Sequence, residues 1–557
     1  MDLIRVHNTT CSRLYRTLTF LLALAALPAV FAASSAPERD EIQKRVSQIR
    51  NGDVVGIRGG HIASVIVLPA LYERGEYRPV WTNPLAADQL IDILENIEVD
   101  GLDSQDYHLS TLQTLRTELA ARPDPVTRAE YDLLLSDSLI RLGYHLQEGK
   151  VDPEQLDTNW NMTSTLGDLD SILAMSRAIE LASLPQLIDE LRPANPIYTR
   201  MKKALARYRQ LDAQGGWPPV TDGPTLKPGM SGERVKAMRQ RLSASGDLQG
   251  DSMSTEFDGN LEAAVKRFQQ NHGLTADGIV GPGTLAAMNV PARARIDQIR
   301  ANLERARWVL RNLPDSYVIT DIAGFRVNYS RDGEMVWSTR AQVGKPYRKT
   351  PVFRDTIRYL EVNPTWTVPP TILKQDTLPK IRKDPNYLRN KDMEVLTFSG
   401  KSVDPASIDW SQYPAKPFPY LIRQRPGPKN ALGRIKFMFP NKHAVYLHDT
   451  PSRTLFGRDA RAFSSGCIRV QHPFEFAELL LADPAWTRER LLEVVESRKT
   501  TRINLKKPVT VLLLYWTIDT STDGNVVFKP DIYGRDPMII KALNSQFRFR
   551  DSPIIAN

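Results

Sequence analysis

Cys467 and His448 are the residues whose types and spacing could do chemistry, the cysteine lying 19 positions after the histidine. The only other cysteine, Cys11, sits in a stretch with the layout of a removable export signal. A matured chain would then hold one thiol with no disulfide partner, which leaves a small buried hydrophobe or a reactive group. The flanks favour the reactive reading: Ser464, Ser465 and Gly466 precede Cys467, and Arg469 follows it. A thiol is nucleophilic as thiolate, so a useful one needs a nearby cation, base or backbone dipole to lower its pKa. Gly466 can take backbone angles closed to other residues, and the amides across Ser465, Gly466 and Cys467 could form an oxyanion hole.

His448 ends the run Ala444–His448, whose Val, Tyr and Leu content reads as a strand. Alternation would turn Val445 and Leu447 to the core, and Tyr446 and His448 to the opposite side. A histidine there can act as a base, the alternative being a structural histidine. Thr450-Pro451 and Gly457 are loop signals that let the chain fold back between histidine and cysteine. Arg469 is two residues beyond the nucleophile, so in extended chain it faces the same side and could hold a substrate carboxylate, or form a structural ion pair.

The pattern His448-Asp449-Thr450, a loop, then Ser464-Ser465-Gly466-Cys467-Ile468-Arg469 resembles the signature of the L,D-transpeptidase catalytic domain of bacterial cell-wall enzymes. Asp449 stands where many members have glycine and Ser465 where many have histidine, so either a backbone carbonyl or the Asp449 carboxylate could orient His448. The resemblance implies acyl transfer through a thioester. Cys467 attacks the third residue's carbonyl at its bond to D-alanine in a peptidoglycan stem tetrapeptide, and an acceptor amine on another stem resolves the acyl-enzyme. His448 would be the base, while Arg469, Tyr446 and Trp366 are expected to contact substrate. No metal or organic cofactor is called for. Rival readings are a carboxypeptidase or amidase using water as acceptor, a general cysteine protease, and a wall-anchoring protein without activity.

The elements that must position these residues span 557 positions, too many for one core. Hydrophobic content of 41% and charged content of 25% are those of an ordinary globular protein. Arg5, Arg13 and Arg16 precede the apolar run Leu18–Ala32 and the small residues Ala33 to Ser35, so residues 1–33 read as a signal peptide, with an uncleaved anchor as the alternative. Its removal lowers the net charge from +9 by two, to +7. Export would place the protein in the periplasm, wall-associated, where a basic surface could approach lipid headgroups or acidic polymers. Wall synthases or carboxypeptidases that supply tetrapeptide are possible partners. No basic helix with interleaved aromatics, zinc spacing or other motif argues for nucleic acid.

The expected fold class is multidomain α+β. Residues 38–215 show apolar residues at helical steps and form a helical scaffold, whose stretches Leu71–Thr82 and Asp100–Leu109 resemble the region ahead of the catalytic domain in large Gram-negative members of the family. After the linker GGWPPVTDGP, residues 224–290 resemble the small three-helix peptidoglycan-binding domain, with helical stripes Val235, Met238, Leu242 and Leu261, Val265, Phe268. Residues 291–314 make a linking helix, and residues 315–505 a mostly β catalytic domain. Residues 506–557 are a C-terminal segment expected only to pack on the domain edge. Within the catalytic domain, residues 364–430 interrupt the strand rhythm with many prolines, including Pro369, Pro370, Pro414, Pro417 and Pro419. A segment this long with little regular structure is expected to cover a site. Its aromatics Trp366, Tyr387, Trp410 and Tyr420 argue against disorder, so we read it as a lid-like insertion over Cys467, with a packed surface insertion as the alternative.

Overall fold

The computed structural model describes residues 36–547 and 549, other than 54–55, 163–168, 312, 414–416 and 522–523. The signal peptide expected at 1–33, with Cys11, and Pro414 of the insertion lie outside the described residues. The protein is a multidomain α+β molecule: a helical N-terminal region, a three-helix module, and a mostly β domain.

The N-terminal region is built around the helix Pro125–Glu148, started by Asp124, whose side chain accepts from the Thr127 amide, and ended by Gly149 at φ 88°. This helix is buried on nearly all sides, so its polar residues need internal partners. Asp132 accepts from the Tyr72 hydroxyl and the amides of Val80 and Trp81. Asp137 takes the amides of Ala63 and Ser64 and the His108 ring. These carboxylates fasten two loops to the helix, which makes them structural.

In the three-helix module, Glu233–Ala244, Gly259–Gln270 and Pro282–Met288 bury Val235, Met238, Leu242, Leu261, Val265, Phe268, Leu285 and Met288, as the helical stripes predict. The helix Ala292–Val309 then runs against Pro196–Ala213 and returns the chain to the scaffold.

The mostly β domain is a closed barrel. From Glu334–Gly344 the strand order is Ile468–Val470, Leu447–His448, Ile435–Met438, Phe353–Val362, Thr501–Leu514, Tyr317–Asp321 and Arg326–Arg331, which pairs back onto Glu334–Gly344. Closure leaves no exposed edge among these eight strands, and the short strand Ala462–Ser464 adds to Glu334–Gly344 from outside. The Val, Ile, Leu and Phe residues of alternate positions fill the interior.

Three expectations change. The strand ending at His448 is short, Leu447–His448, because Ala444 sits at φ 52°, a left-handed conformation that strand backbone does not take. The boundary expected at 505 falls inside the strand Thr501–Leu514, which pairs with Phe353–Val362 on both sides of an irregularity between Asn504 and Val509. The C-terminal segment therefore begins inside the barrel and does more than cover an edge. Lys529 is buried in an ion pair with Asp321 at 2.6 Å, Phe528 bonds the Asn271 carbonyl of the three-helix module, and Leu543 enters the scaffold core.

The insertion is also more ordered than its prolines implied. It carries a four-stranded sheet, Trp366–Thr367, Leu421–Gln424, Met393–Leu396 and Ser402–Val403, and its own core of Val368, Leu378, Ile381, Leu388, Met393, Val395 and Ile422. Several prolines sit in the first turn of a short helix, among them Pro370, Pro379 and Pro405, where a missing amide hydrogen costs nothing.

Candidate active site

Pairing of the histidine and cysteine strands creates the site. Leu447–His448 lies parallel to Ile468–Val470, with Leu447 opposite Ile468 and His448 opposite Arg469. Partners in register project to the same face, and residues two apart on one strand do too. Tyr446, His448, Cys467 and Arg469 thus share the face opposite the buried Leu447 and Ile468. The Tyr446 and His448 rings meet edge to face at 5.9 Å.

The same register extends across five strands. Glu361 is opposite Lys436, Lys436 opposite His448, His448 opposite Arg469, and Arg469 opposite Gln342. This row of polar side chains holds two cations and one acid. Lys436 lies 3.5 Å from Glu361 and over the Tyr446 ring, while Arg469 has only the Gln342 side-chain oxygen, at 3.1 Å. Among the described residues, Arg469 Nε is buried with no hydrogen-bond partner and no carboxylate pairs with the guanidinium. A half-buried guanidinium without a carboxylate partner has donors that a carboxylate could use.

His448 is 3% exposed. Its Nδ1 bonds the Asp449 backbone carbonyl, which can only accept, so Nδ1 carries the proton and Nε2 is left as the basic nitrogen. The Asp449 carboxylate turns away, to the Arg434 amide at 3.0 Å, so the backbone carbonyl is the orienting group. Burial, with the Arg469 charge second, pushes the His448 pKa down to about 3, against the pull of the Asp449 and Leu432 carbonyls. The imidazole is neutral at physiological pH.

Cys467 is half-buried, and its sulfur lies 3.8 Å from the Ala444 carbonyl. Among the described residues no hydrogen bond joins it to His448. Burial raises the thiol pKa above its ordinary value, and the Tyr446 amide and the charges of Arg469 and Lys436 oppose that rise without overcoming it. The electropositive flanks alone implied a lowered pKa; desolvation wins. At rest the two groups are a neutral thiol and a neutral imidazole, a base awaiting a proton rather than an ion pair. The thiolate fraction should therefore still be climbing through pH 9, and the alkylation rate of Cys467 by iodoacetamide, followed against pH, should show no plateau below the ordinary thiol range. A plateau near pH 6 would mean a resting thiolate–imidazolium pair.

The loop carrying Cys467 is held from three sides. Ser464 Oγ donates to the Cys467 carbonyl at 2.6 Å and accepts from the Gly466 amide at 3.1 Å. Gly466 stands at φ 123°, in the region that favours glycine. Its carbonyl accepts from Thr350 Oγ1 at 2.8 Å, and the same hydroxyl accepts from the Gly344 amide. The Tyr533 hydroxyl then bridges the Gly344 carbonyl and the Thr350 amide, at 2.6 and 3.1 Å. Of the three amides expected to hold an oxyanion, Gly466 is thus engaged by Ser464. The amides of Ser465 and Cys467 make no hydrogen bond among the described residues.

Trp366 of the insertion lies near the half-buried Tyr446, whose hydroxyl pKa is driven far up by burial and the adjacent Cys467. Cys467, His448, Arg469 and Tyr446 share one face, with Ser465 and Gly466 beside the nucleophile in sequence and Trp366 near Tyr446. Sequence reasoning missed Lys436, Gln342, Arg348, Thr350 and Tyr533, and named Ser464 only as a flank of the motif. Lys436 had a signal: Ile435 and Phe437 are core residues, so strand alternation turns Lys436 to the histidine's side.

Residues 315–511 match the family "L,D-transpeptidase catalytic domain", residues 67–205 the family "Scaffold domain", and residues 231–288 the family "Putative peptidoglycan binding domain". A Haemophilus influenzae protein named "Putative L,D-transpeptidase" is 41% identical over 232 residues, 41% of this chain and 47% of the relative, so the match spans about half of that relative's length. Solved L,D-transpeptidase structures from Xylanimonas cellulosilytica and Stackebrandtia nassauensis align at 16% and 14% identity over 53% of this chain, and over 100% and 97% of theirs, with TM-scores of 0.16 and 0.22. The chain thus carries, in order, a region matching a scaffold domain, one matching a peptidoglycan-binding domain and one matching an L,D-transpeptidase catalytic domain.

Proposed function

We propose that this protein is a peptidoglycan L,D-transpeptidase that cross-links the third residues of two stem peptides through a Cys467 acyl-enzyme. The observation that carries the reading is the shared face of Cys467, His448 and the unpaired Arg469. Arg469 would hold a stem carboxylate beside the nucleophile. His448 Nε2 takes the thiol's proton as the sulfur attacks the third residue's carbonyl carbon. The oxyanion is received by the free amides of Ser465 and Cys467. The C–N bond to D-alanine then breaks, and the departing amine takes the proton from His448.

In the second half, an acceptor amine attacks the thioester and gives its proton to His448. The C–S bond breaks, and the sulfur leaves as thiolate and recovers that proton. Atoms and charges balance with no cofactor. Donor and acceptor are both wall polymer, so we infer a periplasmic, wall-associated site of action. No helix among the described residues is long and apolar enough to cross a membrane.

The test is mass analysis of products after incubating the protein with disaccharide-tetrapeptide. A dimer lacking one D-alanine is expected. Tripeptide monomer alone would overturn transfer in favour of hydrolysis of the same bond, and unchanged tetrapeptide would count against both.

A further inference from the structure

Arg348 lies outside the row of side chains that the proposed reaction uses, yet it touches the nucleophile's own loop. It belongs to Gly344–Thr350, the segment already joined to Gly466 through Thr350. One guanidinium nitrogen donates to Ser465 Oγ at 2.9 Å, two residues before Cys467, and the same nitrogen meets the Asp376 carboxylate. The other donates to the Gln375 side-chain oxygen at 2.7 Å. Gln375 and Asp376 belong to the insertion, and they sit in a π-helical turn, Leu373–Thr377, between the α-helical pieces Pro370–Ile372 and Leu378–Lys383. Such turns are uncommon, and they gather where a helix must aim side chains at a target. The Arg348 side chain is 15% exposed and that of Asp376 37%, so the pair is partly withdrawn from water.

We propose that Arg348 is a positioning residue that latches the 364–430 insertion onto the Cys467 loop, so that one ion pair sets how open the thiol is to large reactants. Among the described residues the guanidinium touches both sides: Ser465 on the nucleophile loop, Gln375 and Asp376 on the insertion. Its planar fork can serve three acceptors at once, which a lysine at this position cannot. Releasing it frees the π turn from the cleft and leaves Ser465 Oγ without that donor. The consequence for a polymeric substrate rests on the transpeptidase reading; the latch itself does not.

The experiment is built to separate the two. In a Cys11→Ser background, Cys467 is the only thiol, and its modification is timed with a small reagent, iodoacetamide, and a bulky one, a polyethylene-glycol maleimide. The bulky-to-small rate ratio cancels any change in thiol pKa caused by removing a nearby charge. Arg348→Ala and Asp376→Asn should each raise that ratio about tenfold, a change of the size seen when a charge-assisted contact is lost. The double variant should rise no further, and Arg348→Lys should fall between. Ratios unchanged in both single variants, or rises that multiply in the double variant, would overturn the latch. D-alanine release from tetrapeptide is read in parallel: a raised ratio with no release from the unsubstituted protein would retain the latch and sink the reaction.

Discussion

Cys467→Ala is expected to abolish release of D-alanine from a stem tetrapeptide, a loss of at least ~10⁴-fold, because the two free amides and the arginine can bind the substrate but nothing remains to form the thioester. The fold should not notice. Cys467 is half-buried and its sulfur makes one weak contact, with the Ala444 carbonyl, so its removal opens no large cavity. The comparison to make is D-alanine released per minute by the two proteins, alongside their thermal melting curves. Activity that survives in the alanine variant would remove cysteine chemistry altogether.

His448→Gln should slow the same reaction by about 10²- to 10⁴-fold, the usual contribution of a positioned acid–base group. Glutamine can still donate to the Asp449 carbonyl, so the local geometry is kept while the basic nitrogen is lost. The loss should fall on turnover, with KM little changed, because the proton transfer belongs to the transition state. The pH dependence follows from burial. With its pKa pushed down to about 3, His448 stays a competent base down through mildly acid pH, so the wild-type acid limb should not show the ordinary histidine step near pH 6.5. A wild-type rate that halves near pH 6.5, or a glutamine variant of full turnover, would each contradict the assignment.

The sequence made part of this site legible and hid the rest for physical reasons. His448 and Cys467 are visible because their chemistry is local: a lone thiol with polar flanks, and a histidine at the end of an alternating run. Alternation also places Tyr446 with His448, and Cys467 with Arg469. What it does not contain is the register between the two strands, and that register makes the four side chains one site. Gln342, Thr350 and Tyr533 come from segments more than a hundred or some tens of residues away, joined only when the barrel closes and the C-terminal segment folds back. No local pattern marks Tyr533 as the prop of a nucleophile loop. Desolvation was hidden in the same way. The composition around Cys467 reads as electropositive, whereas its burial, a property of the packed barrel, raises the thiol and keeps His448 neutral.

The insertion shows the opposite failure, in which residues were read too locally. Its prolines signalled irregular chain, yet at helix starts they are compatible with regular structure, and Val368, Ile381, Val395 and Ile422 give it a core. Its aromatic residues were the better guide: Trp366, Tyr387 and Trp410 pack against that core.

The central claim is a covalent bond between Cys467 and a stem peptide, and intact-mass measurement of the protein mixed with disaccharide-tetrapeptide and no free acceptor tests it most directly. The account predicts an adduct equal to the tetrapeptide donor minus D-alanine, mapped by digestion to the peptide that contains Cys467 and absent from Cys467→Ala. An adduct that retains D-alanine, one that maps elsewhere, or turnover with no thiol adduct at any time after mixing would contradict it.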